Sequence, residues 1–243
     1  MNVLITGGTG YLGTSLVQEL RSQGFRVFSL STSSGPHIDD FVCDLTDALE
    51  IDSVGNKLAG QNIKVIVHLA SKLMGTSLSH AEIFGQNLQI TQGFMKLAKL
   101  LMPAKLIHAS STSVYPEVSG KFDENSMIKP SANTDAPYGL SKFVAENLID
   151  LNFKSDNIQC IHLRIGHIYG KGMPATGIIP TLTKELKLNF RMTLFGSGKR
   201  IIPFVKISFL INSIISFIEN DVKFPESNID DIVLVGGSTR VPK

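Results

Sequence analysis

At 243 residues, with 43% hydrophobic and 18% charged side chains, the chain can bury a full core and is too apolar to be a disordered segment. Its net charge of +2 comes from scattered Lys and Arg with no basic stripe, so nucleic acid is not an expected partner. The most apolar stretch, Ile207 to Ile218, is bracketed by Lys206 and Glu219 and interrupted by Ser208, Asn212, Ser213 and Ser216. It falls short of the roughly 20 residues of a bilayer span. It therefore predicts a core-facing helix, and no membrane partner is expected.

Met1 to Gly13 reads as strand, tight turn and helix start. Val3 to Ile5 is short, apolar and uncharged; Gly7, Gly10 and Gly13 follow as G-x-x-G-x-x-G; Tyr11 to Leu20 is periodic. Such a turn lets the backbone approach a pyrophosphate, because glycines carry no Cβ and the unpaired N–H groups of the helix start point at the anion. Because the first strand begins at residue 2, no secretory signal is expected before it. Cys43 and Cys160 lie inside apolar strand-like runs without metal-pair spacing, as buried thiols of a reducing compartment do. The expected location is cytoplasmic.

Phe25 to Leu30 predicts the second strand, ending at Ser31 where NAD-binding units carry a carboxylate for the adenosine ribose. Ser31 to Ser34 removes repulsion against a 2′-phosphate but adds no cation to attract one, so the choice between NAD and NADP leans only slightly to NADP. The alternative, a hydrophilic turn silent on the cofactor, stands beside it. Phe41 to Leu45 predicts a short strand closing on Asp44, which either meets the adenine rim or caps the helix running to Leu58.

Lys64 to Leu69 is apolar between its ends, as in a parallel sheet covered on both faces. His68 within it reads as a structural histidine, and the small residues that follow leave room for a cofactor across the sheet edge. Ile83 to Leu101 predicts a long amphipathic helix carrying Asn87 and ended by Pro103. Lys105 to Ala109 predicts a strand running into Ser110-Ser-Thr-Ser-Val-Tyr115, hydroxyls placed where open α/β sheets hold ligands.

Thr134 to Lys142 opens the next helix, with Asp135 as its cap and Pro137 as an early helical residue. Tyr138 and Lys142, four apart, share one helical face. An ammonium group one turn away favours the phenolate, making the tyrosine a proton acceptor for an alcohol or a donor to a ketone.

With these motifs the chain resembles the extended short-chain dehydrogenases/reductases, the branch that modifies nucleotide sugars. The resemblance runs through Thr6-Gly-Gly-Thr-Gly-Tyr-Leu-Gly13, His68-Leu-Ala70, Asn87, Ser110 to Tyr115, Tyr138-Gly-Leu-Ser-Lys142 and Leu163-Arg-Ile-Gly-His-Ile-Tyr-Gly170. It implies that Ser111 hydrogen-bonds the reacting oxygen, Tyr138 moves the proton, and Lys142 lowers the tyrosine pKa and holds the nicotinamide ribose. It also implies that Gly7, Gly10, Tyr11, Leu12, Gly13, Ser31, Asp44, Leu45, Leu69, Ala70, Asn87, Tyr138 and Lys142 hold the dinucleotide. The implied substrate is a nucleotide sugar.

Departures from the family narrow the activity. Thr112 and Ser113 replace the Asp-Glu pair of dehydratases. In the similar loop of GDP-fucose synthase a Cys stands where Ser113 is, and its partner His is replaced by Gly172. What remains is 4-epimerisation or reduction of a keto sugar. A reductase of a smaller carbonyl compound and a non-catalytic dinucleotide sensor are the alternatives. His167 replaces the usual Asn, and Ile202 to Phe209 lacks the charged residues of the family segment.

The expected fold is a doubly wound α/β Rossmann domain with a parallel sheet over residues 1–170. Residues 171–243 form a short, abbreviated substrate lobe that also returns the last helix and strand to the sheet. Gly177 to Asn189 is expected as a lobe helix. Phe195 to Arg200 reads either as a diphosphate loop or as an exposed turn. Asp231 to Lys243 resembles a phosphate-loop segment of chaperone ATPases, yet reads as the last strand with a glycine turn. Pairing of Ile83–Leu101 and Tyr138–Phe153 between subunits would give a homodimer.

Overall fold

The structure, a computed structural model, describes residues 1–74, 77–118, 122–175, 177–189, 202–220 and the backbone of 231–234. Phe195 to Arg200 and the stretch after Leu234 lie outside the described residues. Seven parallel strands form the central sheet: β1 (Asn2–Thr6), β2 (Arg26–Ser31), β3 (Asp40–Val42), β4 (Ile63–His68), β5 (Lys105–Ser111), β6 (Gln159–Ile165) and β9 (Asp231–Leu234). Their order is β3-β2-β1-β4-β5-β6-β9, so the order reverses between β1 and β4. Ligands bind at such a switch point in open α/β sheets. Two further short strands, β7 (His167–Tyr169) and β8 (Phe204–Lys206), pair in parallel beside it.

The helices are α1 (Tyr11–Ser22), α2 (Ala48–Leu58), α3 (His80–Leu101), α4 (Ala136–Phe153), α5 (Ile178–Asn189) and α6 (Ile207–Glu219). Leu12, Leu16 and Leu20 recur every fourth residue on α1 and turn inward with Val17. On α6 the buried set Ile207, Leu210, Ile211, Ile214, Ile215 and Ile218 forms one stripe that joins the α1 residues over the sheet. The expected core-facing helix is therefore present. Lys105, a charge at the start of a buried strand, donates from Nζ to the carbonyls of Phe217 (2.7 Å) and Asn220 (2.8 Å), capping the C-terminal end of α6.

Several boundaries differ from expectation for local reasons. β3 ends at Val42 rather than closing on Asp44. Asp47, not Asp44, caps α2 by accepting the Leu49 and Glu50 N–H groups, while Asp44 accepts from Thr46. α3 starts three residues early because Ser79 and Glu82 form a capping box, and it ends at Met102 in the left-handed region (φ 45°) before Pro103. Asp135 occupies the N-cap of α4, but its side chain makes no capping bond; Pro137 stands in the first turn as expected. Cys43 and Cys160 are buried thiols that form no disulfide. Among the described residues no helix is long and apolar enough to cross a membrane, and no cluster of His, Cys, Asp and Glu could hold a metal ion.

Candidate active site

The C-terminal ends of β1, β2, β4, β5 and β6 border a cleft of about 650 Å³. At one side lies the turn between β1 and α1. Gly7 has φ +74° and donates to Leu30 O at 2.7 Å, tying the turn to β2. A side chain at Gly7 would meet the Ala70 backbone, and one at Gly13 would collide with the Gly7 carbonyl, so turn, helix and β4 approach at a distance only glycine allows. Gly10 caps α1 without a side chain, which leaves the first N–H groups of the helix without a side-chain acceptor and next to the cleft. A Cβ at Gly10 would sit only 3.1 Å from Gly7 O. A cradle that side chains would fill, ending in uncapped N–H groups, fits the diphosphate of a dinucleotide.

The expected adenosine end is built from Ser31, Thr32, Cys43, Asp44 and Leu45, with no Lys or Arg among these lining residues. Ser31 Oγ accepts the Thr9 N–H at 3.0 Å, so this hydroxyl clips the glycine turn to the end of β2. Asp44 Oδ1 accepts both the N–H and the hydroxyl of Thr46 at 2.8 Å, and the Asp44 N–H donates to Glu50 at 2.7 Å. This end of the cleft is acidic.

On the other side stand the hydroxyls and α4. Tyr11, Leu12, Leu69, Ala70, Ser111, Tyr138 and Lys142 all line the cleft. Ser111 Oγ accepts the Ser113 N–H at 3.1 Å, capping the short turn Thr112–Val114, and donates to Ser113 Oγ at 3.1 Å. Any side chain at Gly139 would collide with the Ser113 carbonyl, so α4 packs directly on that turn. Lys142 Nζ lies 5.6 Å from the Tyr138 ring centroid, which places the pair on one face as the spacing predicts.

Its electrostatics differ from the expectation. Burial of the phenol raises the Tyr138 pKa to about 12; the Ser71 hydroxyl works against that rise and the Asp135 carboxylate adds to it. Burial likewise brings the Lys142 ammonium down to about 8, against an opposing pull from Glu146. In the protein alone, desolvation is the largest influence on the phenol, and it disfavours the phenolate. Asn87 is the other departure. It lies behind the cleft wall, where Oδ1 accepts from Lys72 N–H (2.7 Å) and Ser71 Oγ (3.1 Å), and Nδ2 donates to Lys72 O (3.0 Å) and Ser141 Oγ (3.2 Å). These four bonds fill the amide's capacity.

Sequence reasoning missed the pair beneath the site. Glu146, four residues after Lys142, takes a bidentate bond from Arg164 on β6 (3.1 and 2.8 Å) and accepts from the Ser110 hydroxyl. Arg164 also donates to Tyr115 Oη at 2.9 Å, and Tyr115 donates to the Asp123 carbonyl at 2.8 Å, tying the loop after β5 to the sheet. The Tyr138, Lys142, Glu146 stripe at intervals of four was a readable signal for the carboxylate. His68 is structural as expected: Nδ1 meets Thr6 Oγ1 at 2.7 Å and the ring stacks on Phe94. Burial, then the Lys142 charge, holds both His68 and His108 well below the usual histidine pKa, so both are neutral.

Comparisons with known proteins agree with this architecture. A family model described as the NAD dependent epimerase/dehydratase family matches residues 3–231. An uncharacterized UDP-glucose epimerase of Bacillus subtilis is 25% identical, over 99% of this chain and 78% of that protein. The dTDP-4-dehydro-6-deoxy-D-allose reductase of Streptomyces bikiniensis is 22% identical, over 93% of this chain and 75% of its own length. The crystal structure of UDP-glucuronic acid 4-epimerase from Bacillus cereus, in complex with UDP-glucuronic acid and NAD, superposes with a TM-score of 0.78 at 25% identity. That match covers 98% of this chain and 78% of the epimerase. From the glycine turn to the Tyr138–Lys142 face, the chain belongs to the NAD dependent epimerase/dehydratase family of extended short-chain dehydrogenases/reductases.

Proposed function

We propose that the protein is an NAD-dependent 4-epimerase of a nucleotide-activated sugar, with Ser111, Tyr138 and Lys142 as its catalytic residues. The observation that carries this reading is the convergence of those three side chains on the cleft that the glycine turn borders. Thr112 and Ser113 supply no second carboxylate for dehydration. NAD is favoured over NADP because the adenosine end carries Asp44 and no lining cation, so a 2′-phosphate would meet repulsion without a partner.

Gly7, Gly10 and Gly13 with the first turn of α1 hold the diphosphate; Ser31, Asp44 and Leu45 border the adenosine; Leu69 and Ala70 form the floor; and Lys142 holds the nicotinamide ribose. Bound there, the nicotinamide supplies reversible hydride transfer at the sugar carbon. Tyr138 Oη takes the proton of the sugar hydroxyl and later returns it from the same position, while Ser111 Oγ donates to the reacting oxygen. Lys142, cationic beside the phenol, stabilises the phenolate. Met173, Pro174 and Gly177, in the cleft wall, form the sugar side, and β9 completes the sheet.

A keto-sugar reductase is the second reading, favoured by the similarity to deoxy-sugar reductases from Streptomyces and Escherichia coli. Incubation with UDP-, dTDP- and GDP-hexoses, followed by chromatography of the products, tests both. Tyr138→Phe is expected to lower turnover by about 10²- to 10⁴-fold while leaving NAD binding intact. Unchanged turnover in this variant overturns the assignment. Mass spectrometry of ligand released from freshly purified protein separates the readings, since an epimerase regenerates NAD within each cycle and retains it.

A further inference from the structure

Of the residues expected at the dinucleotide, Tyr11 has a group that neither the glycine spacing nor the catalytic set accounts for. Its Oη is buried and makes no hydrogen bond, which among the described residues holds for one other buried side-chain atom, Arg21 Nε. Arg21 is tied down all the same, through Nη2 to Asp40 (2.7 Å) and to the Val27 carbonyl (2.9 Å). The Tyr11 side chain has no second polar atom. A buried hydroxyl without a partner lowers stability, so its presence calls for a physical account.

Tyr11 is the first residue of α1 and lines both the cleft and a side cavity of about 330 Å³; Thr9, Gly10 and Pro174 border both as well. The other hydroxyls of the side cavity are engaged. Thr14 Oγ1 donates to Gly8 O at 3.3 Å, Ser15 Oγ donates to Tyr11 O at 3.4 Å, and Thr9 Oγ1 bonds Ser33 Oγ at 3.0 Å. The phenol lies against the turn after β7. A Cβ at Gly170 would stand 3.6 Å from Oη, and one at Gly172 would stand 3.7 Å from Cε2. Both glycines have positive φ, +142° and +79°, so bare backbone covers the ring on that side. Burial holds the Tyr11 phenol above its usual pKa, so it keeps its proton and can donate.

We propose that the Tyr11 hydroxyl is reserved for a phosphate oxygen of the dinucleotide's diphosphate, and that it lowers the stability of the free protein until that oxygen arrives. This rests on the reading of the cleft as the NAD site. The donors that gather there select the partner. The N–H groups of the first turn of α1 have no acceptor within the helix, Gly10 adds no side-chain cap, and Tyr11 belongs to that same turn. Where donors prevail, the best ligand is one that only accepts, and a diphosphate ester at neutral pH is such a ligand. Ribose and sugar hydroxyls suit the spot less well, because each brings a proton of its own. The two-glycine turn over the ring has no side chain to repack when the hydroxyl turns to the ligand.

Tyr11→Phe keeps the ring and removes the hydroxyl, and it is expected to act with opposite signs on the free and the bound protein. In urea titration the free variant is expected to have a higher midpoint than wild type at the same slope, because the orphaned group is gone. Calorimetric titration is expected to show NAD bound about tenfold more weakly, through loss of one bond to a charged acceptor. ADP-ribose, which keeps the diphosphate and lacks the nicotinamide, is expected to lose the same factor, and UDP added to NAD-saturated protein is expected to bind both proteins equally. An unchanged NAD affinity overturns the proposal. So does a loss for NAD that ADP-ribose does not share, which puts the partner at the nicotinamide, or a loss for UDP in its place, which puts it at the sugar nucleotide. A midpoint that does not rise also overturns it, since the hydroxyl then costs the free protein nothing. If wild type binds neither NAD nor ADP-ribose, the reading of the cleft falls and this proposal with it, whereas NAD binding without turnover of any nucleotide sugar defeats the catalytic reading alone.

Discussion

The two faces of the central sheet are built from alternate residues of the same strands, yet they are different materials. Toward α1 and α6 the strands present Val3 and Ile5, Val65 and Val67, Ile107, then Ile161, Leu163 and Ile165, a face apolar over most of its extent, with Lys105, bonded to the end of α6, as its buried charge. Toward α3 and α4 they begin in the same way, with Leu4, Ile66, Leu106 and Cys160. They then turn polar toward the cleft: Thr6, His68, His108, Ser110, His162 and Arg164 are all buried, and each has a side-chain partner. One face is stabilised by area and shape. The other gives up apolar burial near the cleft for groups that depend on named partners, because that face also carries the helix with Tyr138 and Lys142.

The largest expected consequence follows from the most buried of those partnerships. Arg164→Met deprives the buried Glu146 carboxylate of its bidentate partner, which is expected to cost about 3–5 kcal/mol of unfolding free energy, measured by urea titration. Adding Glu146→Leu removes the orphaned charge and is expected to recover most of that loss, since a buried pair replaced by apolar residues of similar volume is often neutral. If Arg164→Met costs less than about 1 kcal/mol, the stability of the polar face does not depend on its pairs. On the apolar face, Ile214→Ala is expected to cost about 2–4 kcal/mol through lost burial and a cavity between α6 and the sheet. There, Ile214→Leu should recover most of the loss without any specific partner, and NAD affinity should be unchanged in both variants. That contrast in what rescues each site is the sharpest test of the comparison.

The same division explains what could be read from the sequence. The apolar face was legible because its signal is local: alternation in the strands, a 3.6-residue stripe on α6, three glycines between a strand and a helix. Tyr138 and Lys142 were legible for the same reason, being one helical turn apart. Asn87 was placed near the cofactor, but its amide is occupied by Lys72, 15 residues away, and Ser141, 54 residues away, partners that only the packing of α3 on α4 brings together. His68, His108 and His162 fall into one row because β4, β5 and β6 are neighbours in matching register, which no spacing of 40 and 54 residues announces. Asp44 and Asp47 are both acceptable caps, and only the end of β3 at Val42 decides between them. The Ser79–Glu82 capping box, by contrast, was written in the local sequence and marks the start of α3 three residues before the apolar period begins.

The smallest expected effect separates the faces by pH alone. Lys142 has a native pKa near 8 and an unfolded one near 10.5, because burial disfavours its charge. Below pH 8 both states are protonated and the cost of the buried ammonium is present in full. Between about pH 8 and 10.5 the unfolded chain binds the proton that the native protein has released, so stability rises with pH, by at most about 1.4 kcal/mol per unit. Tyr138 has the opposite sign: its pKa near 12 lies above the unfolded value of 10.0, so it lowers stability once pH exceeds about 10. The informative window is therefore about pH 8 to 10, read as urea midpoints at constant slope. Lys142→Met is expected to flatten the rise in that window, whereas Ile214→Ala should shift the whole curve down in parallel. A rise that persists in Lys142→Met would mean that its source lies outside the cleft, and that the polar face does not carry the titration its buried lysine implies.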